Sequence, residues 1–383
     1  LLAGFRRRPP AAELDWGVPL AARLAVAADR VTPLEEATCA AARAATLAWA
    51  SAYRGHLGRP ALFGWGLAGY AVGLAHATAV EPRFSRLAGA VRDRVVWWCH
   101  QHPHVTDAVA LADYDLILGM AGVVLALTSL PGIRAQELAP GLRYLTGLCG
   151  EAGLPGLRVG SDGGDPQRTW TIGSINHGLG HGAPGVLAAL LAAWPVVRAG
   201  ERDMLATAIG RIADYLVKVG IKDSRGVLTW PPSSRWRPNA DLTASRQAWC
   251  YGAPGVAWQL AEAGRVLADP GLAQYGVSSM DSLCRAWDDD YYLPSEPDGS
   301  RWAFCHGAAG ILATARAFGA HTGLAGADRL ARHLADVLTQ DEAHIRDLAA
   351  RDPTMLTGAM GVVSVQLGGA VPDTRWLAAL GLR

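Results

Sequence analysis

Six stretches of the chain are apolar on nearly every side: residues 70–77, 123–130, 186–194, 256–260, 311–318 and 362–367. A helix with no polar face belongs in an interior, so each stretch predicts a buried helix. Between them lie more polar segments at 81–100, 136–149, 202–219, 270–287 and 327–349. There apolar residues recur at helical spacing, as in Leu330, Leu334, Val337 and Leu338, which predicts amphipathic helices lying outside the buried ones. Inner and outer helices in alternation predict an all-α fold, a double-layered ring.

Each buried run is headed by Gly-x-x-Gly, at Gly66/Gly69, Gly119/Gly122, Gly182/Gly185, Gly252/Gly255, Gly307/Gly310 and Gly358/Gly361. The intervals are 53, 63, 70, 55 and 51 residues, too short for separate domains. With 45 glycines in the chain, about five such pairs arise by chance, so the signal is their placement and not their existence. Glycines at a helix start let backbones approach closely, and the first amides of each inner helix would face one end of the ring. Three long connections, 150–174, 222–245 and 288–301, are rich in turn residues and each precedes a motif, so they are expected to wall the mouth of a site; plain connecting loops would have the same composition.

The chain of 383 residues is half hydrophobic and 18% charged, enough to bury a large core. We read residues 1–383 as one domain, with 1–32 as an irregular N-terminal arm carrying the run Arg6-Arg7-Arg8. A formal net charge of +1 leaves no electrostatic footprint for nucleic acid. The six cysteines, at 39, 99, 149, 250, 284 and 305, lack the dense spacing of a small secreted scaffold, and nothing at the start resembles a signal peptide. A reduced, cytoplasmic protein is the simplest reading. The apolar runs are interrupted well before the roughly 18 residues of a membrane span.

Aligning the repeats on their glycines brings the chemistry together. Cys250 and Cys305 both sit two positions before the first glycine of a motif; His181, Tyr251 and His306 sit one before; Asp115 sits four before Gly119. Equivalent offsets place these side chains at the same end of the ring. Cys250, Cys305 and His306 then make a set of zinc ligands, although a lone cysteine is more often a small buried hydrophobe. Three ligands leave a fourth position for water or substrate, which points to catalysis. Water there would give a hydrolase and a thiol there a sulfur nucleophile. Two thiolates weaken the Lewis acidity of the metal, which favours the thiol. His181 can move the proton such a reaction requires, or it packs at the helix start. Asp115 can share that work or simply cap its helix. His177 lacks the offset and is the weaker histidine. Arg246 is either a solvated loop charge or a group that holds a carboxylate or an oxyanion.

Trp249-Cys250-Tyr251-Gly252-x-Pro254-Gly255, Cys305-His306-Gly307-x-x-Gly310, Gly180-His181-Gly182-x-x-Gly185 and Tyr114-Asp115-Leu116-Ile117-x-Gly119 together resemble the lanthionine synthetase C-like (LanC) cyclases, from about residue 62 to 361. The resemblance implies an α/α toroid of seven inner and seven outer helices with one zinc ion held by Cys250, Cys305 and His306. It implies intramolecular Michael-type addition of a peptide cysteine to dehydroalanine or dehydrobutyrine, giving lanthionine or methyllanthionine rings. The partner implied is a dehydrated lanthipeptide precursor, with a lanthipeptide dehydratase acting before this step. His181 and Asp115 match positions assigned to acid and base work, and Arg246 and Tyr251 match positions lining the active site. Six glycine-marked helices fall one short of seven; the missing inner helix is either the stretch 33–56, which lacks the motif, or one partly missing with the N-terminus. Other readings are a non-catalytic relative that binds zinc and peptide, an enzyme adding glutathione to dehydrated residues, a cyclase domain of a larger synthetase, and a protein prenyltransferase. The last uses Asp, Cys and His for its zinc, where this chain has a second cysteine.

Overall fold

The computed structural model describes residues 15–33, 36–52, 60–64, 66–101, 104–236, 247–293 and 300–382. Its first half carries α1 (Gly17–Val31), α2 (Glu36–Ala52), α3 (Leu67–Val80), α4 (Ser85–Gln101), the short α5 (Leu111–Tyr114), α6 (Met120–Ser129), α7 (Ala135–Leu148) and α8 (Ala183–Ala193). Its second half carries α9 (Ala199–Val219), α10 (Ala253–Leu267), α11 (Pro270–Ala286), the short α12 (Asp289–Tyr292), α13 (Ala308–Thr322), α14 (Ala325–Gln340), α15 (Glu342–Arg351) and α16 (Ala359–Gly368). The described strands, β1 (Ile221–Lys222) and β2 (Leu228–Thr229), form an antiparallel hairpin with Ile221 opposite Thr229.

Seven helices, α1, α3, α6, α8, α10, α13 and α16, close a ring in which each packs on the next and α16 packs on α1. Outside them lie α2, α4, α7, α9, α11 and α14, each over its own inner helix, while α15 covers α16. The two layers follow from the sequence pattern. Every residue of α8 is buried, whereas α14 buries Leu330, Leu334 and Leu338 and leaves Val337 half-exposed. Each fully buried leucine of the inner ring contributes about 1.5–3 kcal/mol of transfer free energy.

The seventh inner helix is α1 and not the stretch 33–56. Nine of its residues, from Gly17 to Ala28, are buried, while α2 buries only Ala42, Ala45, Thr46 and Trp49 and is an outer helix. The segment expected to be an irregular arm is therefore helical from Gly17 onwards; residues 1–14, with the arginine run, lie outside the described residues. The reason α1 escapes the motif is local. Its N-cap is Trp16, and the single Gly17 sits where a Cβ would meet Met360 and Met355 at the seam with α16. Trp49 ties the outer helix to this corner by donating its indole N–H to the carbonyl of Asp15 at 2.9 Å.

In the other six repeats the first glycine of the motif is the helix N-cap. The second glycine has a steric reason. A Cβ on Gly122, Gly185, Gly255, Gly310 or Gly361 would lie 1.9–2.5 Å from the carbonyl oxygen six residues earlier. The loop thus folds back onto the first turn of its own helix, and only glycine leaves room. After α16 the chain turns into the ring. A 3-10 helix at Arg375–Leu380 packs on α6, the carbonyl of Leu380 accepts from Trp249 Nε1 at 2.9 Å, and that of Gly381 accepts from Gln259 Nε2 at 2.7 Å.

Candidate metal centre

The folded-back loops are joined to one another by backbone hydrogen bonds. Phe63 N–H donates to Ile117, Leu116 to Gly180, Gly180 to Cys250, Cys250 to Cys305, and Cys305 to Leu356, at 2.8–3.4 Å. This belt runs across the N-terminal ends of six inner helices. The seventh joins through a side chain, because Asp15 accepts both from Gly17 N–H and from Met355 N–H. Belt geometry explains the offsets: in the five motifs from Gly119 onwards the residue two before the first glycine is a belt residue, and the one after it is half-exposed or exposed at the ends of the helices. Cys250 and Cys305 occupy adjacent belt positions, so their sulfurs converge.

The sulfurs of Cys250 and Cys305 and a ring nitrogen of His306 all lie within 4.8 Å of one another, the one such cluster among the described residues. Cys305 Sγ is 3.5 Å from His306 Nε2. Both cysteines are buried and His306 is half-exposed. The Cys305 thiol is held down to about 5 by the hydrogen bond with Cys250, with burial opposing and His306 and His181 adding to the effect. A site that stabilises thiolate, with two sulfurs and an imidazole in reach of one point, fits a soft-to-borderline divalent ion such as zinc. No disulfide joins any of the six cysteines.

Asp115 and His181 form the second feature. Asp115 is completely buried, and its two oxygens divide two tasks: Oδ1 accepts from the amides of Leu118 at 2.6 Å and Gly119 at 3.0 Å, capping α6, while Oδ2 lies 2.6 Å from His181 Nδ1. The carboxylate cannot donate, so His181 Nδ1 carries the proton and Nε2 is left for chemistry. His181 is 30% exposed at the mouth. Burial works against its charged form, but the hydrogen bond and the charge of Asp115 outweigh burial and raise its pKa above 6.5. The capping and catalytic readings of Asp115 are thus compatible in one side chain.

Tyr251 accepts a hydrogen bond from Asn176 Nδ2 at 2.8 Å, and burial pushes its hydroxyl up to about 12 despite that bond. It therefore stays protonated as a donor at neutral pH. Asn176 was not singled out by the offsets; its role is visible only in the fold, where Oδ1 also accepts from Gly178 N–H at 2.8 Å. His177 is a structural residue. Its Nδ1 donates to the Pro231 carbonyl at 3.0 Å and its Nε2 pairs with the Tyr215 hydroxyl at 2.9 Å, so burial drives its pKa down to about 4. Arg246 lies outside the described residues. Among the long connections, 150–174 reaches the mouth: the positive charge of Arg168 opposes protonation of His181. The described part of 222–245 packs beside the histidine loop through the Asn176–Ser233 bridge. The third crowds Gly307 with the carbonyls of Ser300 and Arg301.

A closed ring of seven inner helices, with a Cys-Cys-His cluster able to hold a metal ion at the N-terminal ends, defines an α/α toroid. The model of the lanthionine synthetase C-like protein family matches residues 41–380, and the chain belongs to that family. The fold is similar to that of a solved nisin cyclase, with a TM-score of 0.78 at 18% identity over 98% of this chain and 93% of that one. No curated protein sequence matches the chain. No helix among the described residues is long and apolar enough to cross a membrane.

Proposed function

We infer that this protein is a zinc-dependent lanthionine cyclase acting on dehydrated precursor peptides. The observation that carries this reading is the Cys250–Cys305–His306 cluster in the same mouth as the His181–Asp115 pair. Zinc held by the two sulfurs and the imidazole would lower the pKa of a substrate thiol at neutral pH. In the reaction a peptide thiol loses its proton to solvent water, its sulfur bonds to the β-carbon of dehydroalanine or dehydrobutyrine, and the π electron pair of the double bond passes to the α-carbon, which takes up a proton. His181 Nε2 would supply that proton, a role supported by Asp115, which fixes the ring through Nδ1 and holds it as imidazolium to higher pH. Tyr251 presents a hydroxyl proton that Asn176 cannot accept through its amide nitrogen, so the hydroxyl is available to the enolate oxygen.

Cyclisation does not change peptide mass, so the test counts thiols. Purified protein incubated with a dehydrated, Cys-containing precursor should consume free thiols, read by alkylation, while Cys305→Ala falls to the rate without enzyme. Zinc bound per chain should drop from near one to near zero in the same variant. Equal thiol loss with wild type, variant and no enzyme would overturn the cyclase reading, and zinc retention by Cys305→Ala would overturn the ligand assignment.

A further inference from the structure

A cavity of about 430 Å³ opens beside the N-terminal end of α6, within the size range of small-ligand pockets. The Leu118–Gly119 turn that caps Asp115 forms part of its edge, and Arg168, whose charge acts on His181, forms another. Its wall includes Trp98, His104 and Tyr144, with the His104 ring stacked on Tyr144 at 4.7 Å. Three carboxylates, Asp113, Asp162 and Asp165, line it against one arginine. Arg168 is paired with Asp165 at 3.0 Å. Asp113 and Asp162 accept from the amides of Ala110 and Gly164 and have no ion-pair partner among the described residues. Tyr144, only 6% exposed, has a hydroxyl without any hydrogen-bond partner among the described residues. Its pKa is raised by burial and by Asp113, so that carboxylate acts on the phenol without bonding to it.

We propose that this pocket takes a lysine or arginine side chain of the substrate peptide, on the segment adjoining the reacting cysteine. The chemistry of the lining selects a cation that is also a hydrogen-bond donor. Two unpaired carboxylates attract the charge, the aromatic wall stacks on it, and the Tyr144 oxygen, lacking a donor, accepts one of its N–H groups. The shared turn then couples occupancy to register: a basic residue seated here places the following residues over Asp115 and His181. This inference rests on the cyclase reading for the identity of the peptide, but not for the presence of the pocket.

The experiment uses two series of synthetic peptides with dehydroalanine, a glycine spacer and cysteine. Lysine is scanned through the positions flanking the cysteine in one series, and norleucine, of similar volume and no charge, in the other. Unreactive versions with alanine and serine in place of dehydroalanine and cysteine report binding alone. At the best position lysine should bind roughly tenfold tighter than norleucine and lower KM with little change in kcat. Asp113→Asn retains the bond from the Ala110 amide and should abolish most of the preference. Tyr144→Phe should weaken lysine binding severalfold while leaving Tm unchanged or higher, since the lost hydroxyl has no hydrogen-bond partner among the described residues. Cyclisation of both series with equal affinity, or tighter binding of norleucine, overturns the pocket and leaves the cyclase reading intact. A lysine preference in the unreactive peptides without cyclisation of the reactive ones does the reverse.

Discussion

The belt contains loops with the same backbone and different contents. The loops before α6 and α16 present Ile117-Leu118 and Leu356-Thr357 at the two positions where the loops before α10 and α13 present Cys250-Tyr251 and Cys305-His306. All four sit in the same chain of belt hydrogen bonds, and all four tuck a carbonyl against the second glycine of their motif. The ring therefore builds a repeated set of equivalent sockets, and the chemistry is decided by which sockets carry donors. Adjacent sockets are close enough for two cysteines to share one ion. The histidine socket before α8 is next in the ring, and Asp115 reaches it from the socket beyond.

The comparison separates residues that make the reaction from residues that make the socket. His181→Ala should leave zinc near one per chain and Tm nearly unchanged while kcat falls about 10²–10⁴-fold, the usual worth of a positioned general acid. Asp115→Asn should lower kcat less, and move the alkaline limb of the kcat–pH profile to lower pH, because the imidazolium loses the partner that raises its pKa. Protonated His181 is the active form in this scheme, so activity is lost as pH rises through its pKa. An unchanged limb in Asp115→Asn, or loss of zinc in His181→Ala, would show that the pair serves the socket instead.

The converse test lies in a socket with no chemistry. Gly361→Ala places a Cβ 2.0 Å from the Met355 carbonyl oxygen, a clash with backbone that no rotamer relieves. Overpacking of this kind should cost roughly 3 kcal/mol, measured by chemical denaturation. Gly310→Ala, with its Cβ 1.9 Å from the Phe304 carbonyl, should cost as much and also loosen zinc, since it displaces the loop of Cys305 and His306. Equal loss of zinc affinity in both variants would mean that the sockets are not independent.

The inner helices and the glycine motif were legible because both rest on local rules: an apolar run has one place to go, and a loop carbonyl packed against a helix start demands glycine. The clustering of Cys250, Cys305 and His306 was legible for the same reason, since equal offsets in a repeat become equal positions in a ring. The first helix was not. Its head is Trp16-Gly17, and what closes the ring there is Asp15, bonded to an amide 340 residues away in the chain. The same holds for Asn176, whose bond to Tyr251 spans 75 residues, and for the C-terminal turn under Trp249. Long-range pairs leave no periodicity to read.

His177 offers the smallest test, and it lies four residues from the proposed proton donor His181. Four residues apart, His181 is held as imidazolium by Asp115, whereas His177 is buried between Pro231 and Tyr215 with its pKa depressed from 6.5 to about 4. In the unfolded chain His177 titrates at 6.5, so between that value and about 4 the unfolded state binds more protons than the folded one. Stability from this group is therefore complete above pH 6.5 and is lost as pH falls, by about 2 kcal/mol at pH 5. His76, depressed to about 3 by burial, adds a loss of the same sign and similar size over that interval. His177→Gln, which cannot take up a proton, should remove about half of the combined acid destabilisation, measured by denaturation midpoints between pH 7 and pH 5. It should leave the alkaline limb of kcat where His181 sets it. A variant whose acid sensitivity is unchanged would show that His177 is already charged in the folded protein, and that the two histidines are less different than their surroundings make them.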